Sequence, residues 1–246
     1  MSTPPAASVV GCEAASGNRA ASAFFWGSSV RANVYVDGFN LYYGCLRNTS
    51  YKWLDLLSLA QKLLPGHEIH RIRYCTAQVK DRPGEVGQAQ RQQTYLRALQ
   101  TLPGLSVHFG HFLTNAEMMP LAGPPPGGPK FVKVIRTSEK GTDVNVASWL
   151  LQDAFRDDFD VAALISNDSD LETPVRMVRD DHRKRIFVMM PRDRHSNQLT
   201  KAATHCKPIR TGVIQTSQFP LEIKDSLGRT IHCPERWRSP PLVQPK

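Results

Sequence analysis

What this 246-residue chain lacks already narrows its function. No apolar run approaches the roughly 20 residues that a membrane-spanning helix needs, so the chain reads as soluble, cytoplasmic and without a membrane partner. No G-x-G-x-x-G occurs, which removes the dinucleotide-binding fingerprint. The five cysteines (Cys12, Cys45, Cys75, Cys206, Cys233) are odd in number and form no C-x-x-C pair. That argues against a disulfide framework or zinc knuckle, and for a reducing compartment. No internal repeat is present. Acid is scarce too: 22 Asp and Glu face 31 Lys and Arg, for a net charge of +9. Such an excess points to an anionic partner, nucleic acid first. It is uneven, since Arg176 to Arg210 carries ten basic residues against Asp180, Asp181 and Asp193.

Residues 1–30 are rich in Ala, Ser, Gly and Pro and read as a disordered tail or an over-long start. Ala23-Phe24-Phe25-Trp26 is too short for a signal-peptide core and has no basic leader. Order begins at Asn33-Val34-Tyr35-Val36-Asp37, a strand ending in an acid, with Gly38 permitting a tight turn. Further strands are expected over 68–79, 105–112, 130–136, 161–165, 186–190 and, more weakly, 207–214. Helices are expected over 53–64, 85–102, 142–156 and 197–205, and again from Pro174. In the helix near 142–156, Thr142 would cap and Val144, Ala147, Leu150, Leu151 and Ala154 would face inward. The Pro-rich run at 124–129 reads as a loop, and Gly228 as the centre of a hairpin. Three segments follow: the tail at 1–30, a main domain at 31–216 and an extension at 217–246. Strands alternating with helices indicate an α/β sandwich with a mostly parallel sheet.

The chain turns on Val161-Ala-Ala-Leu-Ile165-Ser166-Asn167-Asp168-Ser169-Asp170. An apolar run that stops abruptly in polar residues reads as a strand buried on both faces. Ligands of open parallel sheets bind beyond the carboxyl ends of such strands. Two carboxylates there repel unless a cation intervenes. A plain alternative is an Asx-turn at Asp168 with Asp170 in the first turn of a helix. Asp37 and Asp143 fall in similar local contexts, and parallel topology brings all four acids to one edge. Four carboxylates at that edge call for Mg²⁺ or Mn²⁺, which would lower the pKa of a water and screen a phosphate. Asn40 could orient Asp37, Ser166 could bind a carboxylate or phosphate, and Lys140 could meet a non-bridging oxygen. Glu172 is free to help hold metal or substrate. Arg183, Lys184, Arg185, Arg192 and Arg194 are candidate phosphate contacts for a nucleic acid, RNA if the resemblance below holds, or a solvated charged face.

Val36-Asp37-Gly38-Phe39-Asn40-Leu41, Lys140-Gly141-Thr142-Asp143-Val144 and Ser166-Asn167-Asp168-Ser169-Asp170-Leu171 together resemble the NYN domain family, LabA-like branch, of the PIN-like metal-dependent nucleases. The resemblance spans roughly 33–214. It implies a Rossmann-like three-layer sandwich, with Asp37, Asp143, Asp168 and Asp170 binding metal and Asn40 and Ser166 supporting them. It also implies hydrolytic cleavage of RNA, single-stranded or structured, through a metal-activated water. Asn167 stands where the family usually has glycine; asparagine tolerates positive φ better than most residues. A homodimer is left open.

Other readings compete. A haloacid-dehalogenase-type phosphatase needs a second Asp where this chain has Phe39. An EF-hand fails because Thr173 and Arg179 replace the required Gly and Glu. A nuclease-like module that binds RNA or protein without cutting, and a structure-specific DNA nuclease, stay open. Telling RNA from DNA depends on 2′-hydroxyl contacts.

Overall fold

The structure, a computed structural model, describes residues 30–81, 84–191 and 196–238. The expectation of a disordered tail therefore lies outside the described residues, except at Val30, which already belongs to a strand.

Seven strands form one sheet: β1 (Val30–Asp37), β2 (His67–Ala77), β3 (Leu105–Pro120), β4 (Phe131–Lys140), β5 (Val161–Ile165), β6 (Arg185–Met190) and β7 (His205–Pro208). Their order is β4-β3-β2-β1-β5-β6-β7. Every pairing is parallel except β3 with β4. The central strands β1 and β5 are buried on both faces, so neither shows the alternation of a half-exposed strand.

Helices cover both faces. On one side lie α1 (Gly38–Leu41), continued by a π-helical turn (Tyr42–Leu46), then α2 (Leu56–Leu63) and α3 (Gln88–Leu99). Leu59, Leu96 and Leu99 pack there against Val34, Val36 and Ile72. On the other side lie α4 (Thr142–Phe155), α5 (Glu172–Asp180) and α6 (Asn197–Ala202). Leu150, Val175 and Leu199 pack there against Tyr35, Leu164 and Val188. The result is the α/β three-layer sandwich expected from the alternation.

Several local expectations are corrected. The strand expected over 105–112 runs on to Pro120, and the Pro-rich run, a loop as expected, is the tip of a long antiparallel hairpin whose register runs from His111↔Lys140 to Pro120↔Phe131. Its outer half is exposed, so burial periodicity could not mark it as strand. The weak strand expected over 207–214 is instead the end of β7 followed by α7 (Thr211–Gln215). Helix α4 buries Val146, Leu150, Asp153 and Ala154, while Val144 is 65% exposed. Its inner face is thus rotated, because buried Asp153 occupies a place that apolar patterning assigns elsewhere. Asp153 accepts from the Tyr35 hydroxyl at 2.9 Å and from two Arg73 nitrogens at 3.1 and 2.9 Å. A buried carboxylate so fully paired is compatible with a core.

The C-terminal extension forms the expected hairpin, β8 (Glu222–Lys224) with β9 (Thr230–His232), before a short α8 (Glu235–Arg238). It packs onto the same core through Phe219, Ile231 and Cys233. The Trp53 indole N–H donates to the Pro220 carbonyl at 2.8 Å. Among the described residues no helix is long and apolar enough to cross a membrane.

Candidate metal centre

Strands β2 and β3 lie to one side of β1, and β5, β6 and β7 to the other. The winding of the chain therefore reverses between β1 and β5, and the crevice beyond their carboxyl ends is where open α/β sheets place ligands. Asp37 is the last residue of β1; Ser166 follows Ile165, which pairs with Val36. Gly38, next in the chain, is needed for proximity rather than for a special φ. A Cβ there would meet the Tyr74 ring at 2.8 Å and the Cys75 carbonyl at 2.9 Å.

Asp37 is 1% exposed and caps α1. The Asn40 backbone N–H donates to its Oδ1 at 2.9 Å, and the Asn40 side chain to its Oδ2 at 2.6 Å. The Ser166 hydroxyl donates to the same Oδ2 at 3.1 Å and itself accepts from the Asp168 N–H at 3.0 Å. Burial pushes the Asp37 carboxyl upward and the Asp168 charge adds to this; the bonds from Asn40 and Ser166 act in the opposite direction. Ser166 thus serves the acid rather than standing open to a ligand.

Asp168 caps the 3₁₀ turn Ser169–Leu171 and accepts from the Asp170 N–H at 3.0 Å. The plain Asx-turn reading and the carboxylate-cluster reading are therefore both realised at this one residue. The position of Asn167 requires no special backbone: among the described residues only Asp157 and Arg183 combine a side chain with positive φ. Helix α5 starts at Glu172 with Pro174 third, still inside the first turn where its missing N–H has no helical partner. Glu172 is taken up by Arg176 at 3.1 Å and is not directed to the cluster.

Asp143 arrives from the other side of the crevice, in the first turn of α4. The cap is Gly141 at φ 94°, not Thr142, which is buried and hydrogen-bonded through its hydroxyl to Glu139 at 2.6 Å. The Asp143 carboxyl is pushed up to about 6, by burial first and then by the charges of Asp37, Asp168, Glu139 and Asp170.

One carboxylate oxygen from each of Asp37, Asp143 and Asp168 lies within 4.8 Å of the others. Three segments far apart in sequence thus deliver three anionic oxygens to one point. The set is all oxygen and close enough to share a hard divalent cation. Asp170 lies outside it; its side chain is exposed, and its charge acts on Asp143. Lys140 ends β4 with its side chain exposed.

Of the basic candidates, the three described ones do not gather here. Arg183 and Lys184 precede β6 and Arg185 opens it, at the amino ends of the parallel strands and so at the opposite edge of the sheet. Lys184 pairs with Asp157 and lies over the Phe159 ring. Arg192 and Arg194 lie outside the described residues. Sequence reasoning missed Glu139, whose capping of α4 from the preceding strand leaves no pattern signal, and a cavity lined by aromatic and cationic side chains beyond Gly38 and Phe39.

The chain is similar to several known proteins. The chain is 31% identical over 243 aligned positions to 6-hydroxy-3-succinoylpyridine 3-monooxygenase HspA of Pseudomonas putida, covering 86% of this chain and 77% of the relative. A solved structure of a Vibrio parahaemolyticus protein of unknown function aligns with a TM-score of 0.47 and 20% identity, over 74% of this chain and 94% of that one. The NYN domain model matches residues 31–210, a span that holds Asp37, Asp143 and Asp168, and the family lies within the PIN-like nuclease superfamily. The chain belongs to the NYN domain family.

Proposed function

We propose that this protein is a ribonuclease that hydrolyses RNA phosphodiester bonds with the help of Mg²⁺ or Mn²⁺ and leaves a 5′-phosphate. The convergence of Asp37, Asp143 and Asp168 at the winding reversal of the sheet carries the reading. All three would hold the cation, with Asp170 adding negative charge from the rim. The bound cation supplies Lewis acidity: it lowers the pKa of a water and neutralises charge that develops on the phosphate.

The chain's own residues set the geometry. Asn40 and Ser166 hold the Asp37 carboxylate in one orientation through three hydrogen bonds. Asp143, whose carboxyl burial and the neighbouring acid charges push up to about 6 without a cation, is the member whose charge a bound cation would relieve most. Lys140, exposed at the end of β4, can swing toward a phosphate oxygen. Labelled RNA and DNA, incubated with Mn²⁺ or EDTA, test this. RNA cleavage should need Mn²⁺ and vanish in Asp168→Asn; undiminished cutting by that variant would refute the site assignment.

A second reading draws on the Pseudomonas relative, whose name describes oxygen insertion into a hydroxylated pyridine. The alignment with that protein covers 86% of this chain, which favours testing the activity directly. Uptake of dioxygen with a hydroxypyridine acid and a reductant, in the absence of RNA cleavage, would establish it over the nuclease.

A further inference from the structure

Beyond Gly38 and Phe39, between the π-helical turn, α3 and α8, lies a cavity of about 550 Å³. That is an ordinary size for a small-molecule site. It contains none of the three clustered carboxylates and touches their neighbourhood only through Gly38 and Phe39. Its walls combine two chemistries.

The first is aromatic. Phe39, Tyr42, Tyr74, Tyr95 and Trp237 line it. Tyr74 and Tyr95 are buried behind, while Phe39, Tyr42 and Trp237 are half-buried and present ring surface to the cavity. Trp237 is braced edge-to-face by Tyr95, with ring centroids 6.1 Å apart, and in a tilted contact by Trp53 at 6.3 Å. A half-buried ring held by two aromatic neighbours and lining a cavity can serve as a stacking platform.

The second is cationic. Arg47, Lys52, Arg91 and Arg236 line the same space, against a single acid, Glu85. Among the described residues none of the four forms an ion pair. Lys52 is half-buried and spends one donor on the Thr49 carbonyl. Arg91 spends one on the Val86 carbonyl at 3.1 Å. Burial lowers the Lys52 pKa, and the Arg236 and Arg91 charges lower it further, so the three cations repel across the cavity. Arg47 lies over the Tyr43 ring and the Arg91 charge acts on Asp81, yet four cations against one acid leave the wall net positive and favour an anion between them.

We propose that this cavity binds a planar aromatic ring carrying an anionic group, the ring stacked on Trp237 and the anion held by Lys52, Arg91 and Arg236. One such ligand is a nucleotide unit of a nucleic acid; another is a free heteroaromatic carboxylic acid. The ring and the anion must both be present, because the aromatic and cationic walls face one enclosure. The proposal does not rest on the ribonuclease reading, since no carboxylate of the cluster takes part.

The test is titration of the full chain in EDTA, where no metal chemistry contributes, following tryptophan fluorescence. The probes are adenosine 5′-monophosphate, pyridine-3-carboxylate, adenosine, and inorganic phosphate. At least one of the first two should bind, with the matching fragments at least about tenfold weaker. Binding of the nucleotide assigns the site to nucleic acid; binding of the pyridine acid alone assigns it to a small molecule. Lys52→Gln and Arg236→Gln should each weaken the bound probe by about tenfold or more. Arg236 is exposed, so its replacement keeps the fold even if the Lys52 variant does not. Absence of binding by both probes, phosphate alone binding as well as the nucleotide, or full affinity in Arg236→Gln would overturn the proposal.

Discussion

Asn40 grips Asp37 with both of its N–H groups, the side chain on Oδ2 at 2.6 Å and the backbone on Oδ1 at 2.9 Å. The acid is thereby oriented before any ligand arrives, and that orientation is what Asn40→Ala removes. Groups that orient metal-binding side chains typically change affinity by about 10–100-fold when lost. Mn²⁺ affinity in the variant, measured by calorimetry, should fall within that range, while cleavage at saturating Mn²⁺ survives better than in Asp37→Asn. Wild-type affinity in Asn40→Ala would show that Asn40 does not position its neighbour.

Asp143 opposes folding when it is charged. Its carboxyl sits at about 6 in the folded chain against an ordinary value of 3.8. The folded state is therefore favoured by the protonated form, an advantage complete below 3.8 and lost as the pH rises through about 6. Asp143→Asn should raise the stability of the metal-free protein at pH 8 by on the order of 1 kcal/mol, after allowance for solvent screening, and leave it unchanged at pH 3. The same substitution should abolish the gain in melting temperature that Mn²⁺ gives the wild type. Denaturant titrations at the two pH values check the first part and a melt with Mn²⁺ the second.

Asp158 has the opposite sign. Burial pushes its carboxyl up, but the Arg71 and Asn33 hydrogen bonds and the charges of Arg71 and His70 outweigh that and bring it down to about 2. The contacts are close: 2.9 Å from Arg71 Nε and 2.9 Å from Asn33. This stabilisation is fully present above 3.8 and lost as the pH falls through about 2. Asp158→Asn should cost about 1–2 kcal/mol at pH 7 and nothing near pH 1.5. Equal losses at both pH values would mean that packing, not charge, holds this corner of the sheet.

The basic run before β6 should contribute little to RNA binding. Arg183, Lys184 and Arg185 lie at the amino edge of the sheet, across from the carboxylates, and Lys184 is already paired with Asp157. Neutralising Arg183 and Arg185 to Gln should leave the slope of log affinity against log salt within about one unit of wild type. Neutralising Arg47 and Arg91, which line the cavity next to Phe39, should reduce it more. A large drop from the first pair alone would return the run to the binding surface.

The parallel sheet was readable because Val161–Ile165 is an uninterrupted apolar run with acids soon after it and the first strand closes on Val34-Tyr35-Val36 before Asp37, and topology then brings those acids together. Asp37 and Asp168 followed from strand ends, and Asp143 from the first turn of a helix. The outer half of the β3–β4 hairpin was hidden, since an exposed two-stranded arm buries too little to imprint a period. The face of α4 was misread because Asp153 is a core residue through its bonds to Tyr35 and Arg73. Arg183, Lys184 and Arg185, the described part of the basic run, lie at the other edge of the sheet. The basic residues that line the cavity, Arg47, Lys52, Arg91 and Arg236, come from segments nearly 190 positions apart and leave no local signal.

The most direct measurement is calorimetric titration of EDTA-stripped protein with Mn²⁺, for wild type and for Asp37→Asn, Asp143→Asn, Asp168→Asn and Asp170→Asn. One shared ion requires that each of the first three substitutions abolishes the same binding event, while Asp170→Asn, outside the 4.8 Å group, keeps it with weaker affinity. Unaltered Mn²⁺ binding in Asp37→Asn or Asp143→Asn would contradict the account, because these carboxylates would then not converge on a common cation.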